Sequence, residues 1–158
     1  LTRIERILRI DGGHALLVGV GGSGKSSLTR LAAYAAQCDV FEIRLSRGYG
    51  EREFREDIKA MYNRLGLENR STVFMFGDQH VVEESFLELV NNMLTSGMVP
   101  ALFTDEEKEG IVEALRAEAT TAGIPSTREA IWQYFIRKAV GNLHIVLCMS
   151  PVSLTFLV

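Results

Sequence analysis

Short apolar runs alternate along the chain with longer segments whose apolar residues recur at three- and four-residue steps. That alternation is expected of a parallel sheet wrapped by helices, so the predicted class is α/β. Ala15-Leu16-Leu17-Val18 is the first predicted strand, and after the glycines that follow, Leu28, Leu31, Ala32 and Ala35 mark a helix. Val40-Phe41-Glu42-Ile43 reads as a second short strand. Phe54, Ile58, Met61 and Leu65 form one stripe, and Gly66 beyond them is a stop signal, which predicts an amphipathic helix over 51–65. Thr72-Val73-Phe74-Met75-Phe76 is the third strand, ending at Gly77-Asp78, and Phe86, Leu87, Val90 and Leu94 predict a helix that stops near Gly97. Thr104 with Glu107, and Ser126 with Glu129, fit the capping box, in which a hydroxyl and a carboxylate three residues apart satisfy orphan amides. They predict helices through Ile111, Leu115 and Ala119 and through Ile131, Phe135 and Ala139. Leu143 to Met149 is the last strand, closed by Ser150-Pro151.

Composition narrows this to one globular domain: 158 residues, 47% hydrophobic and 23% charged, are enough to bury a core without disulfides or a structural metal. Seventeen basic against twenty acidic residues leave a net charge of −3 with the signs interspersed, which argues against nucleic acid as the main partner. No stretch approaches the roughly 18 consecutive apolar residues of a membrane helix, and Leu1-Thr2-Arg3-Ile4 does not resemble a signal peptide. A soluble, intracellular protein with no membrane partner is expected, with Cys38 and Cys148 as reduced, buried thiols. The chain lacks an initiator Met and opens inside an apolar pattern at Ile4, Ile7, Leu8 and Ile10, as a fragment of a longer protein would.

Gly19-Val20-Gly21-Gly22-Ser23-Gly24-Lys25-Ser26 matches G-x-x-x-x-G-K-[ST] at every fixed position, between a predicted strand and a predicted helix. Glycines let successive N–H groups converge on phosphate oxygens, and the helix N-terminus adds a favourable dipole. Lys25 is expected to reach the β and γ phosphates, and Ser26 to offer its hydroxyl to Mg²⁺, which takes hard oxygen ligands. The plainer alternative is a glycine-rich turn with an exposed lysine. Ser27 either touches the α phosphate or faces the first helical turn.

Asp78, at the end of the third strand, stands where a P-loop nucleotidase places the carboxylate that holds the metal through water; a solvated turn aspartate is the alternative. The next residue is Gln79, where a glutamate would polarise the attacking water in hydrolysing AAA+ proteins. An amide cannot accept a proton, although it can orient water. Glu83 and Glu84 either substitute for the missing base or favour a helix N-terminus. Ser150, closing the last strand, either senses the γ phosphate through a water or forms a turn with Pro151.

His14, His80 and His144 have no metal-site spacing and are expected to be structural or solvated, so no zinc is predicted. Trp132, Tyr134 and Phe135 are spaced for packing rather than for base stacking. Arg128, Arg137 and Lys138 contact a neighbouring module or form a solvated face.

With these residues in view, the chain resembles a nucleotide-binding module of dynein heavy chains, the fourth AAA+ module of the axonemal type. The resemblance is carried by Gly13-His14-Ala15-Leu16-Leu17-Val18 and the loop that follows, by Glu84-Ser85-Phe86-Leu87-Glu88, by Asn91-Asn92-Met93-Leu94 with Gly97-Met98-Val99-Pro100, and by Asn142 through Val152. It implies a P-loop NTPase fold of AAA+ type, a three-layer sandwich with a mostly parallel central sheet and helices on both faces. It also implies ATP or ADP with Mg²⁺ as ligands, neighbouring AAA+ modules of the same heavy chain as partners, and microtubules as indirect ones. The implied location is the cytoplasm and cytoskeleton, in the axoneme of a cilium or flagellum. Cytoplasmic relatives are expected to carry Asp-Glu in Walker B, so Asp78-Gln79 points to the axonemal branch and to a regulatory site with weak or no hydrolysis. Residues 1–152 would be an incomplete nucleotide-binding large subdomain. At 153–158, where the family continues into a Gly-Asp-x-Phe-Arg segment, a strand and a helical lid, this chain has a divergent apolar tail. A stand-alone small-molecule kinase is the first rival, but 105–124 holds only Lys108 and Arg116 among many acids and makes a poor phosphate-closing lid. A purely structural ring segment is the second.

Overall fold

A computed structural model describes residues 2–18, 24–81 and 83–149. Four strands, β1 (Ala15–Val18), β2 (Asp39–Glu42), β3 (Thr72–Gly77) and β4 (Leu143–Met149), form one sheet in the order β1-β4-β3-β2, with every pairing parallel. Six helices accompany them among the described residues: α1 (Thr2–Leu8), α2 (Lys25–Ala35), α3 (Glu51–Gly66), α4 (Glu84–Thr95), α5 (Asp105–Thr121) and α6 (Arg128–Asn142). The α/β parallel sheet expected from the apolar alternation is what forms, with each strand within one residue of its predicted bounds.

Parallel crossovers are right-handed, so their direction across the sheet decides which face each helix covers. The chain crosses from β1 to the far edge through α2 and then steps back through β3 to β4, which puts α2 on one face and α3 to α6 on the other. The two apolar clusters follow this division. Ile4, Leu8, Ala32, Ala33, Val73, Met75, Val146 and Cys148 fill the face under α1 and α2. The larger cluster, built on Phe54, Phe74, Phe76, Phe86 and Phe135, fills the other. Every residue of β3 and β4 is buried, as expected of central parallel strands covered on both faces.

The α2 helix forms where its periodicity predicts, but a different face is buried. Thr29, Ala32 and Ala33 turn inward, while Leu28 and Leu31 remain 41% and 52% exposed. Small residues let the helix axis lie close to the sheet, and Thr29 makes this possible by donating its hydroxyl to the Lys25 carbonyl at 2.8 Å. The amino-terminal apolar pattern forms α1, with Ile4 and Leu8 buried and Ile10 beyond its end exposed.

Of the two expected capping boxes, one forms. Thr104 Oγ1 accepts from the Glu107 N–H at 3.2 Å, and Glu107 Oε1 accepts from the Thr104 N–H at 3.1 Å. These backbone contacts, with Lys59 Nζ 3.0 Å away, hold the Glu107 carboxyl below the usual carboxylate range. Ahead of α6 the cap is Thr127 rather than Ser126: its hydroxyl accepts from the Ala130 N–H at 3.2 Å, so the helix starts one residue later and Glu129 falls out of register for a box. Replacing Thr104 with alanine should therefore cost about 1 kcal/mol, read as a lower urea midpoint at unchanged slope, with Thr104→Ser near the parent.

Candidate phosphate-binding site

Gly19, Gly21, Gly22, Ser23 and Ser150 lie outside the described residues. At Gly24, the N-cap of α2, φ is +79°, the left-handed region, and an added Cβ would meet nothing within 4 Å. The need for glycine there is conformational rather than steric. Lys25 opens the helix; Ser26 beside it is half-buried and Ser27 is exposed. The first turn of α2 is moored to the sheet through Thr29, whose Oγ1 lies 3.9 Å from Cys148 Sγ. Burial raises the pKa of that thiol, and the positive charge of Lys25 pulls the other way, so the Lys25 side chain acts on the end of β4.

Asp78 follows β3 directly and starts a short 3-10 turn, Asp78–His80. Gly77 is level with Cys148 and Val18 with Met149, so Asp78 comes at the level of Val18 with only β4 between them. Two strand spacings make that about 10 Å. The helix that follows β1, α2, covers one face and the helix that follows β3, α4, the other, and ligands bind in open α/β sheets at the carboxyl edge where the direction switches in this way. Lys25, Ser26 and Asp78 all come to this edge. A hydroxyl and a half-buried carboxylate are donors that suit a small, hard divalent cation, and the helix N-terminus with its lysine suits the phosphates that accompany one.

His80, rather than solvated, is buried and built into the turn. Its Nδ1 accepts the Gly77 N–H at 2.9 Å, and its Nε2 lies 3.3 Å from Glu42 Oε1. Burial lowers the pKa of His80, while Glu42 works in the opposite sense. Gln79 is exposed, and its side chain folds back over Gly77: a Cβ at residue 77 would sit 2.6 Å from Gln79 Oε1 and 3.0 Å from the Cys148 carbonyl. Glycine at 77 is thus a requirement of close approach. Glu83 is the residue ahead of α4, makes no side-chain cap bond to the helix, and accepts from the Ser85 hydroxyl at 3.2 Å.

The other histidines are structural. His14 Nδ1 accepts from the Ile145 N–H at 2.9 Å, and His144 Nδ1, 2.8 Å from the Gly13 carbonyl, donates to it, so together they extend the β1–β4 ladder below its first backbone pair. Trp132 stacks on Phe135 of the same helix with centroids 5.2 Å apart and meets Phe103, ahead of α5, edge-on, while Tyr134 donates to Glu118 of α5 at 2.9 Å. Arg128 pairs with Glu109 at 2.9 Å and Lys138 with Glu118 at 2.5 Å on that same hairpin. Both cysteines are free thiols; Cys148 is buried and Cys38 half-buried. A cavity of about 630 Å³ opens between the end of β2 and α3, beside Phe41, Arg44 and Tyr49. Its acids are engaged, Asp57 by the Tyr49 hydroxyl at 2.5 Å and Glu53 by the Gly50 N–H at 2.9 Å. Sequence reasoning did not single out Arg30 and Glu42, although a carboxylate inside the apolar run Val40 to Ile43 was a signal for a buried polar contact.

The family model that describes the P-loop-containing dynein motor region D4 matches residues 1–157. Dynein axonemal heavy chain 10 of Homo sapiens is 62% identical over 153 residues, which cover 97% of this chain and 3% of the human one. The dynein-1-alpha heavy chain of the flagellar inner arm I1 complex of Chlamydomonas reinhardtii is 56% identical over 98% of this chain and 3% of its own length. The ciliary dynein beta chain of Tripneustes gratilla is 46% identical over 98% of this chain and 4% of its own. The chain thus spans only about 3–4% of the length of these relatives. It belongs to the P-loop-containing dynein motor region D4 family, and its relatives are axonemal and ciliary heavy chains.

Proposed function

We propose that this chain is a regulatory nucleotide module of an axonemal dynein motor, binding ATP or ADP with Mg²⁺ and hydrolysing it weakly or not at all. The observation that carries the reading is that Lys25 and Ser26 open α2, whose Thr29 reaches Cys148 near the carboxyl end of β4, while Asp78 directly follows the carboxyl end of the neighbouring strand β3. Gly19, Gly21, Gly22, Ser23 and Gly24 would cradle the phosphates with their amides, joined by Lys25 and Ser27. Ser26 and Asp78 would hold Mg²⁺, the latter through water. Mg²⁺ held by Ser26 and Asp78 would supply charge neutralisation to the phosphates. Gln79 orients water without taking its proton, which supports slow turnover. Ser150 is assigned to the γ phosphate. Residues 1–152 would be the nucleotide-binding part, working beside other AAA+ modules of the same heavy chain in a cilium or flagellum and contributing indirectly to movement on microtubules.

Heat stability tests this directly. A ligand that binds only the folded chain at about 100 times its Kd adds about 2.7 kcal/mol, which for a chain of this size is about 5–11 °C in Tm. ATP or ADP with Mg²⁺ should produce that shift, and turnover should stay below about 1 s⁻¹, the low end of ordinary enzyme rates. No shift with any nucleotide would make the module a structural ring segment, and faster turnover would remove the weak-hydrolysis assignment.

A further inference from the structure

We propose that Glu42, held between Arg30 and His80, is a positioning residue that sets the Mg²⁺ dependence of nucleotide binding while leaving metal-free nucleotide affinity alone; this rests on the nucleotide site proposed above. Glu42 is the last residue of β2 and is level with Met75, so it lies on the face that α2 covers. Its Oε2 pairs with the Arg30 guanidinium, one and a half turns into α2, and its Oε1 faces His80 Nε2 at 3.3 Å. On the other side of the ring, His80 Nδ1 accepts the Gly77 N–H at 2.9 Å. A neutral imidazole that accepts at Nδ1 carries its hydrogen on Nε2, which is the atom directed at Glu42, so one tautomer satisfies both contacts.

The consequence is mechanical. The Gly77–His80 bond closes a small ring that contains Asp78 and Gln79, and Glu42 fastens that ring to α2. The two oxygen donors proposed for Mg²⁺ sit on different elements, Ser26 on α2 and Asp78 in the turn, and no bond of the sheet ladder fixes the distance between them. The Arg30–Glu42–His80 chain ties the two elements together through side chains, beside the contact of Thr29 with Cys148. Mg²⁺ demands near-ideal octahedral geometry, so it is sensitive to that distance. Phosphate contacts come from the loop and the start of α2 and do not depend on it.

The test measures binding of a fluorescent ADP analogue to the whole chain, in EDTA and across a Mg²⁺ titration. For Glu42→Ala, affinity in EDTA should stay within about twofold of the parent while the Mg²⁺ concentration for half-maximal tightening rises about 10–100-fold, the usual cost of losing an outer-shell support. Arg30→Ala should move the same midpoint several-fold, and Arg30→Lys, which keeps the charge opposite Glu42, should restore it. Arg30 is half exposed, so this pair carries the test if Glu42→Ala does not fold. A Mg²⁺ midpoint unchanged in Arg30→Ala, or affinity in EDTA that falls in parallel, overturns the proposal alone. A parent chain that binds no nucleotide overturns the site beneath it as well.

Discussion

Lys25→Ala should remove nucleotide-dependent stabilisation almost completely, lowering affinity about 10²–10³-fold. A charge-assisted hydrogen bond contributes about 1.5–3 kcal/mol, and a lysine that spans two phosphates makes more than one, while 1.4 kcal/mol is a factor of ten. The apo fold should be nearly untouched, because a positive charge at a helix N-terminus opposes the helix dipole and its loss costs the helix nothing on that account. Isothermal titration with ADP and Mg²⁺ reads the affinity, and melting without ligand reads the fold. Unchanged nucleotide affinity would sink the phosphate-site assignment.

The largest stability effect is expected at Phe54. This ring is fully buried where α3 faces the sheet, edge-on to Phe86 at 4.5 Å between centroids and beside Phe76 at 6.0 Å and Phe74 at 6.3 Å. Phe54→Ala loses the transfer free energy of the ring and leaves a cavity that three other aromatic side chains cannot fill without leaving their own rotamers. The cost should be about 3–5 kcal/mol, a large share of the roughly 5–15 kcal/mol that a domain has in total. At about 2–4 °C per kcal/mol, Tm should fall by about 6–20 °C. Phe54→Leu, which keeps most of the volume, should lose far less. Equal losses for the two substitutions would mean that the cavity is not what sets the cost.

The fold was legible because its strongest signals are periodic. Val73 to Phe76 and Leu143 to Met149 are apolar without interruption, and only a central parallel strand needs that. Where reading failed, a local rule lost to a tertiary one. Leu28 and Leu31 look like the inner stripe of α2 by hydrophobicity, but Thr29, Ala32 and Ala33 are the residues that α2 buries. Ser126 and Thr127 are both competent caps, and Thr127 is the one whose hydroxyl accepts from the helix. Lys25, Ser26 and Asp78 were legible from spacing and strand ends. Glu42, Arg30 and His80 were not, since their association depends on β2 lying beside β3, a pairing that no local pattern announces.

Strand order also sets when the phosphate crevice can exist. Pairing β2 with β3 joins Asp39 to Thr72 across 33 residues, pairing β3 with β4 joins Thr72 to Leu143 across 71, and pairing β1 with β4 joins Ala15 to Val146 across 131. The entropy lost on closing a loop grows with its length, and non-local pairing slows folding. The first strand made is thus the one whose sheet neighbour is synthesised last. During translation α2 emerges early, but the Cys148 that its Thr29 meets is absent until β4 has left the ribosome, so a nucleotide bound at the start of α2 would assist only the final step of folding.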